Sequence, residues 1–204
     1  MSEKSKRLPQ PVLSARFRAA LAYAARLHAR QARKGTVRPY IAHLLGVTST
    51  VITHGGDEDE AIAALLHDAV EDQGGKPRLR EIRRKFGARV AKIVDGCTDS
   101  YSEPKPPWLE RKKAYLAHLR TADKSTCLVS AGDKLYNSRE VLADYRTHGD
   151  QVWQRFSGEK RGTLWYYREV ANILHDKVPR ELSDELERVV AELERAAGSN
   201  HEQR

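Results

Sequence analysis

No unbroken apolar run in the chain exceeds seven residues, and the most hydrophobic, Ala61-Ile62-Ala63-Ala64-Leu65-Leu66, ends abruptly in His67-Asp68, with Glu71 and Asp72 close behind. Two constraints follow. The run falls far short of the roughly 20 apolar residues that a membrane-crossing helix requires, so a soluble chain is expected. Ionisable groups also stand where a packed core would want leucine, and buried carboxylates are costly unless they are paired or bound to a cation.

Periodicity sets the fold class. Leu13, Phe17, Leu21 and Ala24/Ala25 recur at three- and four-residue steps from Pro11 onward, with His28 continuing that face. A second helix is expected from about Ile41 to His54. A third, capped by Asp57 with Glu60 three residues on, carries His67, Asp68, Glu71 and Asp72. Gln73 to Pro77 breaks it. Short helices follow around Leu79–Phe86 and Val90–Val94, then longer ones at about 108–121, 124–147, 161–176 and 180–197. Sustained period-two alternation is absent, so the expectation is an all-α bundle of roughly eight or nine helices. With 204 residues the chain reads as one domain over 11–197, a disordered lead at 1–10 and a frayed tail at 198–204.

Charge and cysteine content exclude several classes. The formal charge of +8 is concentrated at the start: residues 1–40 hold ten Lys/Arg against Glu3 alone, a net of +9. Clustered cations attract polyphosphates or RNA, but a solvated basic face explains them without a nucleic-acid partner. Cys97 and Cys127 form no CxxC, so no disulfide framework or zinc finger is encoded. Leu8-Pro9-Gln10-Pro11 stands where a secretory signal would have its apolar stretch, and a cytoplasmic protein is expected.

Three segments carry the chemistry. His43 opens an otherwise apolar helix, His67-Asp68 ends the most hydrophobic one, and Asp133 follows the run Cys127-Leu128-Val129-Ser130-Ala131-Gly132. Two imidazoles and two carboxylates gathered on one ion suit Mn²⁺, Fe²⁺ or Zn²⁺ better than an all-oxygen Ca²⁺ site. On a continuous helix Glu71 lies i+4 from His67 and Asp72 lies i+4 from Asp68, each about 5.4 Å further along the axis. At that distance a carboxylate orients or deprotonates a water rather than holding the ion.

These residues resemble the HD superfamily of metal-dependent phosphohydrolases. The likeness is narrower to the single-domain, MESH1-like alarmone hydrolases related to the hydrolase half of the Rel/SpoT enzymes. It is carried by His28-Ala29-Arg30-Gln31-Ala32-Arg33-Lys34-Gly35, Pro39-Tyr40-Ile41-Ala42-His43, Ala64 to Asp72, Phe86-Gly87 through Thr98, and Gly132 to Arg139, over about residues 15–175. The resemblance implies a single Mn²⁺ held by His43, His67, Asp68 and Asp133, with Glu71 and Asp72 positioning the attacking water. It further implies that Arg33 and Lys34 meet the purine and its phosphates, that Asn137 contacts the nucleoside, and that Tyr167 lines the ligand site. The activity implied is hydrolysis of the 3′-diphosphate of ppGpp or pppGpp, with ppApp, NADPH or another purine nucleotide as rival substrates. The chain departs from the family's pattern at Leu44, in place of a proline, and at Tyr136, in place of a histidine. Two-metal relatives need further histidines between the His-Asp step and the last aspartate, and only His118 lies there. Trp165, Tyr166 and Tyr167 suit core packing, and Arg111, Lys112 and Lys113 suit a solvated face. The residues leave oligomeric state open.

Overall fold

The computed structural model describes residues 13–101 and 104–199. Ten α-helices and one 3-10 helix occupy them: α1 Ala15–Leu27, α2 Ile41–Thr53, α3 Glu58–Leu66, α4 Ala69–Asp72, α5 Gly75–Phe86, α6 Ala88–Cys97, α7 Trp108–Thr121, α8 Lys124–His148, the 3-10 segment Gly149–Arg155, α9 Glu159–Leu174 and α10 Arg180–Ser199. No β-strand occurs among the described residues. An isolated antiparallel bridge, Ala32 with Pro39, pins the base of the loop between α1 and α2. The all-helical expectation holds. The expected lead at 1–10 and residues 200–204 of the expected tail lie outside the described residues, and α10 continues through Gly198 and Ser199.

Local sequence explains the helix starts. Asp57 and Glu60 form the reciprocal capping box that opens α3. Ser14 caps α1 through the Arg16 amide, and its own amide donates to Glu58, joining α1 to α3. Asp123 caps α8 by accepting from the Thr126 amide at 2.9 Å. The second glycine of Gly74-Gly75 opens α5, and Pro77 sits in its first turn, where a missing N–H costs nothing.

The core lies where α2, α3, α6, α9 and α10 pack around the 25-residue α8. Buried Leu44, Val47, Ile62, Leu65, Leu66, Val129, Leu135, Leu174, Leu182, Leu186 and Leu193 fill it. Gly132 lets α2 and α8 approach closely, because a Cβ there would meet Val51 Cγ2 at 3.2 Å and the Val47 carbonyl at 3.4 Å. That approach brings Asp133 of α8 beside His43 of α2.

One expectation is corrected. The helix that begins at Glu58 does not run on to Asp72: α3 stops at Leu66, and His67-Asp68 forms a break before the single turn α4. Asp68 sits at φ −94° and ψ −5°, the bridge region where functional residues are often found. Its carboxylate accepts from the Tyr40 hydroxyl at 2.5 Å.

Candidate metal centre and nucleotide cavity

Four side chains from three parts of the chain converge at the break. The Nε2 atoms of His43 and His67 lie 3.3 Å apart. Asp68 Oδ2 is 3.4 Å from His43 Nε2 and 3.0 Å from His67 Nε2. Asp133 Oδ1 is 3.4 Å and 3.6 Å from the same two atoms. His43, His67 and Asp133 are all buried, with ligand atoms within 4.8 Å of one another.

The donor set fits a borderline divalent cation. His67 Nδ1 lies 2.8 Å from the Ala64 carbonyl, so it carries the ring proton and leaves the Nε2 lone pair aimed into the cluster. Burial disfavours charge on His67, yet Asp68 and Asp133 overcome it and hold its pKa well above the usual value. Burial would raise Asp133, but Lys134 and the two histidines keep it well below the ordinary carboxylate range. A pocket that raises an imidazole's proton affinity in this way has the charge to bind a cation instead.

The second carboxylate pair stands beside this cluster. Glu71 Oε1 accepts from Lys105 Nζ at 2.8 Å, and Asp72 Oδ2 accepts from Gln31 Nε2 at 2.7 Å. Desolvation and the charge of Asp68 push Asp72 up to about 6, against the opposing hydrogen bond from Gln31. A carboxylate in that range is suited to take up a proton near neutral pH. Both acids help to line a polar pocket of about 180 Å³ together with Asp68, Asp133, Lys112 and Lys134.

That pocket shares Tyr40, Asp72, Lys112, Lys134, Asn137 and Tyr166 with a larger cavity of about 590 Å³. Arg33, Lys34 and Tyr167 line the larger one. Arg33 does not project freely: its Nε donates to Glu140 at 3.0 Å, its Nη2 to Asn137 at 2.5 Å, and its guanidinium lies 5.5 Å from the Tyr40 ring centroid. Asn137 in turn donates to Asp133 Oδ1 at 2.5 Å. It therefore links a cavity arginine to the cluster as well as facing the cavity. Tyr166 and Tyr167 are buried and also form cavity wall, so packing and lining coincide there.

Several residues escape sequence reading. Lys134 Nζ is ion-paired with Asp133 Oδ2 and lies 5.3 Å from the Tyr115 ring centroid. Its only signal is its place next to Asp133. Lys112 and Arg111 correct the solvated-face expectation: both turn inward to Asp99, and of that trio Lys113 alone is exposed. Burial, with repulsion from Lys134, pushes the Lys112 pKa down. Arg38 and Arg155 both bind Asp144, which joins the α1–α2 loop to the end of α8.

Comparison with known proteins gives the family. A family model described as an HD domain matches residues 20–164. The chain belongs to the HD-domain family. It is 40% identical over 122 residues to the Xenopus tropicalis guanosine-3′,5′-bis(diphosphate) 3′-pyrophosphohydrolase MESH1, covering 58% of this chain and 65% of that protein. The Drosophila melanogaster MESH1 is 34% identical over 140 residues, covering 66% and 74% respectively. The match to the vertebrate relatives thus spans just under two thirds of their length. A solved structure of a metazoan SpoT ortholog, described as hydrolysing ppGpp, superposes with a TM-score of 0.74 at 25% identity, covering 92% of this chain and 99% of that one. Among the described residues no helix is long and apolar enough to cross a membrane.

Proposed function

We propose that the chain hydrolyses the 3′-diphosphate of ppGpp or pppGpp, releasing pyrophosphate and leaving GDP or GTP. The observation that carries this reading is that the small pocket lined by Asp68 and Asp133 of the cluster shares six wall residues with a cavity of about 590 Å³, within the size range of small-ligand sites. His43, His67, Asp68 and Asp133 would hold one divalent ion, for which Mn²⁺ is our assignment. Such an ion supplies Lewis-acid polarisation of a phosphoryl oxygen and lowers the pKa of a water.

The remaining work belongs to side chains. Glu71 and Asp72 take a proton from the attacking water, which adds to the phosphorus bonded to the ribose 3′ oxygen as that P–O bond breaks, and the proton passes to the departing 3′ oxygen, which leaves as the ribose hydroxyl. Lys112 and Lys134 face the smaller pocket and neutralise the diphosphate. Arg33, Lys34, Asn137 and Tyr167 border the larger cavity and hold the nucleoside part. The named activity of the relatives supports the same substrate class.

The test is direct. Purified protein loaded separately with Mn²⁺, Fe²⁺, Zn²⁺ or Mg²⁺ is incubated with ppGpp, ppApp, NADPH and GTP, and the products are resolved by anion-exchange chromatography. Pyrophosphate and GDP from ppGpp are expected, fastest with Mn²⁺. Turnover of ppApp or NADPH but not ppGpp would move the assignment to a sister substrate, and binding without turnover would make the protein a nucleotide sensor.

A further inference from the structure

We infer that Gln31 is a positioning residue that holds Asp72 for its work on water, and that one tautomer of the buried His28 holds Gln31. The inference rests on the proposed role of Asp72. Gln31 follows α1, whose C-terminus is capped by His28, itself only 2% exposed. Gln31 Nε2 donates to Asp72 Oδ2 at 2.7 Å. Its Oε1 accepts from Gln73 Nε2 at 2.6 Å and lies 2.7 Å from His28 Nδ1.

The donor and acceptor inventory leaves one arrangement. An ionised carboxylate only accepts, so the amide nitrogen of Gln31 must face Asp72. Its oxygen then faces both Gln73 and His28, and Nδ1 of His28 must carry the ring proton. That leaves Nε2 bare, and Nε2 is the His28 atom that is buried without a hydrogen-bond partner. Burial also lowers the His28 pKa, in keeping with a ring that keeps a single proton.

The same ring braces the other side of the site. His28 stacks on Tyr40 with centroids 5.1 Å apart and planes 16° apart, and the Tyr40 hydroxyl donates to Asp68 Oδ2. One buried imidazole therefore steadies two carboxylates, Asp68 in the break and Asp72 on α4, through two different neighbours. Fixing Oδ2 of Asp72 leaves Oδ1 for the proton of a water. Positioning of this kind acts on turnover more than on substrate binding.

Full-length variants Gln31→Glu, His28→Leu and His28→Asn are compared with the wild type for kcat, KM and bound metal, and the His28 ring is read by long-range ¹H–¹⁵N spectra. Gln31→Glu places a carboxylate against Asp72 and should lower kcat by about tenfold or more, with KM within about twofold and metal content unchanged. His28→Leu should follow it, and His28→Asn should recover part of the loss because the asparagine amide nitrogen replaces Nδ1. The wild-type ring should be protonated at Nδ1. An Nε2–H ring in the wild type, an unchanged kcat in Gln31→Glu, or metal loss in step with kcat would each overturn the inference. If the wild type hydrolyses none of the substrates, the functional reading falls and the tautomer alone decides whether the relay exists.

Discussion

Gly46→Ala tests how tightly the second helix is fitted against Tyr136, the residue at which this chain departs from its family. An alanine Cβ at position 46 would lie 2.0 Å from Tyr136 Cε2 and 2.4 Å from Cδ2, far inside van der Waals contact. The substitution should gain about 1 kcal/mol of helix propensity. Against this, relieving the overlap forces the ring aside, at the roughly 1–3 kcal/mol typical of overpacking. The displaced ring also gives up its edge contact with His43, now at a centroid distance of 5.1 Å, worth roughly 0.5–1.5 kcal/mol. The balance is a net destabilisation of about 0.5–3.5 kcal/mol, or a melting point lower by roughly 1–14 °C in a domain of this size. In a Tyr136→Ala background the obstacle is gone and the same change should stabilise by up to about 1 kcal/mol. Urea denaturation of the four members of the cycle measures this coupling directly. A Gly46→Ala protein as stable as its propensity predicts, or an effect of the same sign in both backgrounds, would refute the packing argument.

Other outcomes follow from the site and its supports. His43→Ala should abolish retention of divalent metal after dialysis and remove the rise in melting temperature that Mn²⁺ gives the wild type, measured by elemental analysis and thermal denaturation. Glu71→Gln should keep its metal while turnover falls by about 10² or more; metal loss equal to that of His43→Ala would make Glu71 a ligand. Asp123 caps α8 and pairs with Lys92 at 2.8 Å, and these bonds hold its carboxyl down to about 2 from an ordinary value of 3.8. Because the folded value is the lower one, the ionised cap stabilises the protein above the unfolded value, and that contribution fades as pH falls through the window between the two. Asp123→Asn should accordingly be less stable than wild type at pH 6 and no less stable at pH 2 in denaturant titrations.

The helical architecture was legible because its local signals are strong: a periodic face from Leu13 through Ala24/Ala25, a capping aspartate at 57 with Glu60 three residues on, a break over Gln73 to Pro77, and no period-two alternation. The break at His67-Asp68 was not. Nothing in Leu66-His67-Asp68-Ala69 forbids a continuous helix, and the hydrogen bond that Asp68 makes at the break comes from Tyr40, 28 residues away. Glu71 and Asp72 follow the break on the separate turn α4. These two acids nevertheless stand beside the cluster, because the Asp68 carbonyl still accepts from the Asp72 amide at 2.9 Å and keeps α4 in register with the break.

Charge was the least legible property, for a physical reason. The net of +9 over residues 1–40 looks like an uncompensated basic surface when summed along the sequence. In three dimensions Arg33 and Arg38 meet Glu140 and Asp144 on α8, and Arg16 meets Glu58 and Asp59 on α3. Coulomb interactions depend on separation in space and decay over about 10 Å in physiological salt, so a run of cations says little until its partners have been folded onto it. Lys134 makes the converse case. Beside Asp133 in the sequence it looks like an ordinary surface lysine, yet it is held over Tyr115 and Tyr166 with its ammonium on a carboxylate of the cluster. Burial alone would lower its pKa, but Asp133 holds it well above the usual lysine value. A cation fixed in this way is oriented before any phosphate arrives, so little of its attraction for a polyphosphate is lost to reorganisation.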